Sequence, residues 1–233
     1  MTMTSIDAGS TGSAAKAQTG SFAAMRHAMV ASQLRTTAVS DPRVVAAMAT
    51  VEREAFVPPA AADIAYRDTP VPLGHGRSLN TPLSTGRLLT EAQLVREDRV
   101  LLIGAATGYT AAVLAELAGS LVALEEDATL AAQAREALAG MANVTVVEGP
   151  LVEGWAQGAP YDAIVIDGAV EFVPDAIVHQ AKIDGRVTTG VIDRGVSRLA
   201  AGRRSEGGFG LVDFADVDCV VLPGFSKPPT FQF

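Results

Sequence analysis

From Arg99 onward the chain alternates short, wholly apolar runs with segments of helical periodicity. That alternation restricts the fold more than any other feature of the sequence. Apolar runs at 100–103, 121–124, 144–147, 163–166 and 187–192 read as strands, and 109–117, 128–138 and 173–182 read as helices, the last with Pro174 near its start. Strands with no polar alternation are buried on both faces, so the pattern predicts a mostly parallel sheet with helices on either side. Upstream, 22–34 has helical spacing, and Ser40-Asp41-Pro42 supplies a cap and a first-turn proline for a second helix reaching Thr50. The proline- and glycine-rich stretch 56–82 predicts an irregular loop lining a surface. Downstream, 198–208 reads as a polar turn, and 209–222 as one or two antiparallel strands added at the sheet edge.

The 233 residues, 48% hydrophobic, suffice for a single α/β domain over 21–233. The Ser-, Thr-, Ala- and Gly-rich residues 1–20 read as a flexible tail without the basic start and apolar stretch of a secretory signal. No apolar run is long enough to span a bilayer. The net charge of −8, with basic residues scattered apart from Arg203 and Arg204, argues against a nucleic-acid partner. The single cysteine, Cys219, sits in an apolar stretch as a small core residue and fits a reducing cytoplasm.

Three features converge on one edge of the expected sheet. First, the strand ending at Ile103 runs into Gly104-Ala105-Ala106-Thr107-Gly108 and then a helix. Glycines there allow a sharp turn and close approach to a ligand, and the helix start presents free N–H groups. Second, Glu125 ends the next strand 21 residues beyond Gly104, the placement of a carboxylate that binds ribose hydroxyls. Third, Asp167 follows the strand at 163–166. Each also has an ordinary explanation: a tight turn without ligand, charge at a helix start beside Glu126 and Asp127, or a turn residue next to Gly168. Together and in this order they indicate a nucleoside-type ligand. The turn lacks the full dinucleotide pattern, which disfavours a nicotinamide reductase. His27, His75 and His179 lack metal-ligand spacing, although His75 can line the site from its loop.

Further motifs make a family resemblance specific. The runs Met29-Val30-Ala31-Ser32-Gln33-Leu34, Asp41-Pro42-Arg43-Val44, Val51-Glu52-Arg53-Glu54-Ala55-Phe56-Val57-Pro58, Ala65-Tyr66-Arg67-Asp68 and Pro72-Leu73-Gly74-His75-Gly76 resemble protein-L-isoaspartate O-methyltransferases. The likeness continues through the Gly104 turn and Pro160-Tyr161-Asp162-Ala163-Ile164 to Gly185-Arg186-Val187, and weakens after 192. It implies a Rossmann-like α/β fold and S-adenosylmethionine as cofactor. It also implies methyl transfer to the carboxylate of L-isoaspartyl residues in damaged proteins. The donor sulfur is already positively charged and a carboxylate is nucleophilic at neutral pH, so positioning and desolvation suffice, without a metal.

The chain departs from that family at several expected site positions. Where the family usually reads Gln-Thr-Ile-Ser before a proline, this chain reads Arg77-Ser78-Leu79-Asn80-Thr81-Pro82, so Asn80 and Ser78 become the candidates beside the reacting carboxylate. Leu102 replaces a glutamate and Ala106 the central turn glycine. Pro150 and Leu151 replace the Asp-Gly near the adenine, with Gly154 and Trp155 kept downstream. Asp167-Gly168-Ala169-Val170 replaces Thr-Ala-Ala-Ala. The resemblance thus places Gly104, Ala105, Ala106, Thr107, Gly108, Glu125, Pro150, Leu151 and Asp167 around the cofactor, with fewer hydrogen bonds to it. Each lost bond costs on the order of 1 kcal/mol. An active enzyme, a non-catalytic scaffolding or regulatory relative, and a methyltransferase redirected to another substrate are all compatible with these changes.

Overall fold

The computed structural model describes residues 21–227. The segment 1–20, read above as a tail, and residues 228–233 lie outside it.

Helix α1 covers 21–29 and runs into a π turn, Val30–Leu34. Helix α2, Pro42–Thr50, starts as the sequence indicates: Asp41 caps it by accepting from the Arg43 amide, with Pro42 in the first turn. The proline-rich stretch has more order than expected. It forms two 3-10 turns, Arg53–Phe56 and Pro59–Ile64, and then an antiparallel hairpin of β1 (Val71–Gly74) and β2 (Arg77–Leu79). Helix α3, Pro82–Glu91, follows at once, capped by Thr81.

The remaining elements are β3 (Arg99–Ile103), α4 (Tyr109–Ala115), β4 (Ser120–Glu125), α5 (Ala128–Ala137), β5 (Val144–Glu148), β6 (Tyr161–Val170), α6 (Asp175–Val178), β7 (Ala181–Asp193), β8 (Val196–Arg203) and β9 (Val212–Ala215). The strands form one sheet in the order β5-β4-β3-β6-β7-β8-β9. Strands β5 to β7 in that order are parallel, and β8 and β9 join antiparallel at the edge. The Rossmann-like α/β class expected from the alternation is the one observed. Successive side chains of β3 enter opposite layers, with Val100 and Leu102 in one core cluster and Leu101 and Ile103 in the other.

Two expectations are corrected. The helix expected over 173–182 is one turn, α6, because Ala181 is already paired with Tyr161 in the sheet and the Gln180 side chain is drawn to the Trp155 amide and the Glu153 carbonyl. The polar turn expected over 198–208 is mostly strand β8. The reversal lies earlier, at Arg194-Gly195, where both residues have positive φ and Asp193 faces Val196 in a two-residue hairpin.

Candidate functional site

From β3 the chain continues to β4 and β5 on one side, whereas β6 lies on the other. The strand order therefore switches direction between β3 and β6, and open α/β sheets bind ligands outside the strand ends at such a point. The Gly104 turn follows β3 directly, and Asp167 lies in β6 beyond its last register pair with β3, Ile103↔Ile166. Glu125 is the last residue of β4. The three sequence candidates thus share one edge.

The turn itself is built around left-handed backbone. Gly104 has φ 84°, Ala106 φ 49° and Gly108 φ 101°, the last forming the N-cap of α4. Ala106 therefore holds a conformation that costs an L-residue roughly 1 kcal/mol, which explains why a glycine is usual there. The amides of Gly104 and Ala105 both donate to the Leu124 carbonyl at 3.0 Å. The Thr107 hydroxyl donates to the Phe56 carbonyl at 2.6 Å. The turn is thereby tied to β4 and to the loop above it.

Glu125 is wholly buried, and both its oxygens are engaged. Oε2 accepts from the Ala106 amide at 2.6 Å. Oε1 accepts from the Glu126 and Asp127 amides at 3.0 and 3.1 Å and from Arg77 Nη1 at 2.5 Å. Arg77 comes from the first position of β2, and its neighbour Ser78 is half-buried on the opposite face of the hairpin, alternating with Arg77 and Leu79. The hairpin tip adds a second contact, His75 Nδ1 to Asp127 Oδ2 at 3.1 Å.

A polar cluster forms the other wall. Asp167 is buried, and burial pushes its carboxyl above the usual range against the hydrogen bonds it accepts from Thr110 and Asn80. Asn80 is 1% exposed. Its carbonyl accepts from Arg53 Nη2 at 2.5 Å, and Arg53, fully buried, also donates to the Ala65 carbonyl and lies 4.5 Å from the centre of the Tyr109 ring. Burial lowers the Arg53 pKa and raises that of the Tyr109 hydroxyl. The Cys219 thiol, also pushed up by burial, donates to Asn80 Oδ1 at 3.1 Å. The segment carrying it continues to Leu222, whose side chain lies over Gly104 and Gly168: a Cβ added at either would meet it at 3.0 and 2.4 Å.

The structure therefore unites Gly104, Ala105, Ala106, Glu125, Asp167 and Asn80, and leaves Ser78 turned away. Pro150 is exposed before a 3-10 turn, and the Leu151 side chain is in the core cluster with Leu101 and Ile103. Thr107 instead borders a cleft of about 460 Å³ shared with Phe56, Pro58, Leu73 and Gln133. Sequence reasoning passed over Arg77, Arg53, Thr110 and Leu222 as site residues. Arg77 had one available signal, a cation where the resembled family has a neutral glutamine.

Residues 24–222 match the family described as Protein-L-isoaspartate(D-aspartate) O-methyltransferase (PCMT). The chain belongs to this family. Among curated relatives, "Protein-L-isoaspartate O-methyltransferase 1" of Rhodopseudomonas palustris (strain HaA2) is 44% identical over 182 residues, 77% of this chain and 74% of that one. The Synechococcus sp. (strain JA-2-3B'a(2-13)) protein of the same activity name is 42% identical over 172 residues, covering 73% and 70%. A solved protein-L-isoaspartate O-methyltransferase superposes with a TM-score of 0.74 at 22% identity, covering 85% of this chain and 66% of that one. A Plasmodium falciparum structure titled as a putative member in complex with S-adenosyl-L-homocysteine gives 0.69 at 18% identity, covering 86% and 97%. Both likenesses establish the isoaspartyl methyltransferase-type fold for this chain. Among the described residues, no helix is long and apolar enough to cross a membrane and no His, Cys, Asp and Glu group is placed to hold a metal.

Proposed function

We propose that this chain transfers a methyl group from S-adenosylmethionine to the side-chain carboxylate of L-isoaspartyl residues in damaged proteins and peptides. One observation carries the reading: the Gly104 turn and the Glu125 carboxylate meet at the switch point of a sheet whose sequence belongs to the isoaspartyl methyltransferase family. In this reading Gly104, Ala105, Ala106, Gly108, Glu125 and Asp167 surround the donor and Asn80 stands nearest the reacting carboxylate, whereas Ser78 and the Leu151 side chain face away from it. The bound donor supplies an activated methyl on a positively charged sulfur. The free, buried Cys219 supports placing the protein in the cytoplasm.

As arranged, the protein's own groups crowd the Glu125 end of this crevice. Four donors already contact Glu125, and Leu222 lies against Gly104. Three of these donors converge on Oε1, while Oε2 carries only the Ala106 amide. Calorimetric titration with S-adenosylmethionine tests the reading first, followed by labelled methyl transfer to an isoaspartyl peptide. Heat on titration and label on the peptide are expected. Absence of heat at millimolar donor overturns the reading in favour of a non-catalytic relative, and binding without transfer to the isoaspartyl peptide points to another substrate.

A further inference from the structure

We propose that Arg77 is a built-in competitor for the methyl donor: its guanidinium holds the Glu125 carboxylate that ribose hydroxyls would use, so the donor binds only when the β1–β2 hairpin releases that ion pair. The proposal rests on the reading that this crevice takes an adenosyl group.

Of the four donors to Glu125, three are backbone amides fixed by the turn and by the start of α5. Arg77 is the one that can leave, because it sits on a two-stranded hairpin rather than on the main sheet. Its departure relieves Oε1, which otherwise carries three donors, and vacates the space beside Gly104, where a Cβ would lie 3.4 Å from Arg77 Nη2. The closed state is strongly held. Arg77 and Glu125 are 7% and 0% exposed, and separating a buried pair leaves a charge without its partner. The contact between His75 and Asp127 tethers the hairpin tip to the cap of α5 beside the same carboxylate. A ligand that binds only a minor open state has its apparent affinity reduced by the fraction open, so removing the competitor raises affinity without adding any contact to the ligand. A merely structural Arg77 would do the reverse, since its loss would loosen the site.

The test is calorimetric titration of S-adenosylhomocysteine into the wild type, Arg77→Ala and Arg77→Lys, with thermal unfolding to confirm that each is folded. Arg77→Ala is expected to bind about tenfold tighter or more, with Arg77→Lys, which keeps the charge, staying near the wild type. If Arg77→Ala does not fold, Arg77→Gln carries the same expectation with a neutral side chain of similar length. Equal or weaker binding by the neutral variants overturns the competitor while leaving the adenosyl reading intact. No binding by any of the proteins at millimolar ligand overturns the adenosyl reading and the competitor with it.

Discussion

Asn80 and Asp167, 87 residues apart in sequence, are joined twice: Asn80 Nδ2 donates to the Asp167 carbonyl at 3.0 Å and to its carboxylate at 2.8 Å. The same Asn80 side chain accepts the Val220 amide at 2.8 Å and the Cys219 thiol. It therefore pins the end of the hairpin region, strand β6 and the C-terminal segment together. A serine, the residue usual in the family, has one donor and is too short to reproduce four contacts. Asn80→Ser is expected to lower stability by about 2 kcal/mol, because buried polar groups at Asp167 and Val220 lose their partner. Urea unfolding measures it, and an unchanged midpoint would show that the asparagine is replaceable.

Asp167 gives the fold a pH dependence of definite sign. Burial raises its carboxyl above the ordinary value of 3.8. A carboxyl raised on folding stabilises the native state fully below its unfolded value, and that contribution is lost as pH rises through the folded value. Asp167→Asn has no such titration. The stability of the variant relative to the wild type is therefore expected to increase as pH rises above the ordinary carboxyl value of 3.8. A difference in melting temperature that stays flat, or moves towards the wild type, would mean that nearby Arg53 and Arg77 compensate the buried charge.

What the sequence disclosed follows from how local each signal is. Strands β3, β4 and β6 are apolar on both faces and declare themselves by composition, and the Gly104 turn is contiguous with one of them. Strand β8 hid because Arg198, Gly202 and Arg203 stand among small residues, and antiparallel pairing with β7 and β9 outweighed that composition. Helix α3 had a cap and a first-turn proline in Thr81-Pro82, a signal present but unread. Arg77 with Glu125, and Asn80 with Asp167, are separated by 48 and 87 residues, and no local pattern encodes such pairings.

Arg186 and Asp98 support the opposite end of the sheet. Arg186 Nη2 meets Asp98 Oδ2 at 2.6 Å, Nη1 donates to the Gln93 carbonyl at 2.6 Å, and both side chains are largely buried. The Val95 amide also donates to Asp98, so this group closes the connection from α3 to β3. Arg186→Met leaves Asp98 without its cation and is expected to cost about 3 kcal/mol. Since the pair is far from Glu125 in the fold, pairing Arg186→Met with Arg77→Ala is expected to give additive losses in stability, within about 0.5 kcal/mol. A coupling above that in a double-mutant cycle would link the two ends.

Gly104 separates backbone geometry from ligand chemistry. Its φ of 84° lies where an L-residue is strained, and a Cβ there would approach Leu222 at 3.0 Å and Arg77 Nη2 at 3.4 Å. A β-branched side chain tightens both problems, because it adds two branches to a Cβ already 3.0 Å from Leu222 and is stiff at χ1. Gly104→Val is therefore expected to destabilise the fold by about 3 kcal/mol, combining left-handed strain with overpacking. Gly104→Val with Leu222→Ala relieves only the packing part, so it is expected to recover some stability relative to Gly104→Val while retaining the backbone strain. In both proteins the turn's approach to an adenosyl group is filled, and S-adenosylhomocysteine binding is expected to be lost. Full affinity in the double variant would place the ligand away from the Gly104 turn.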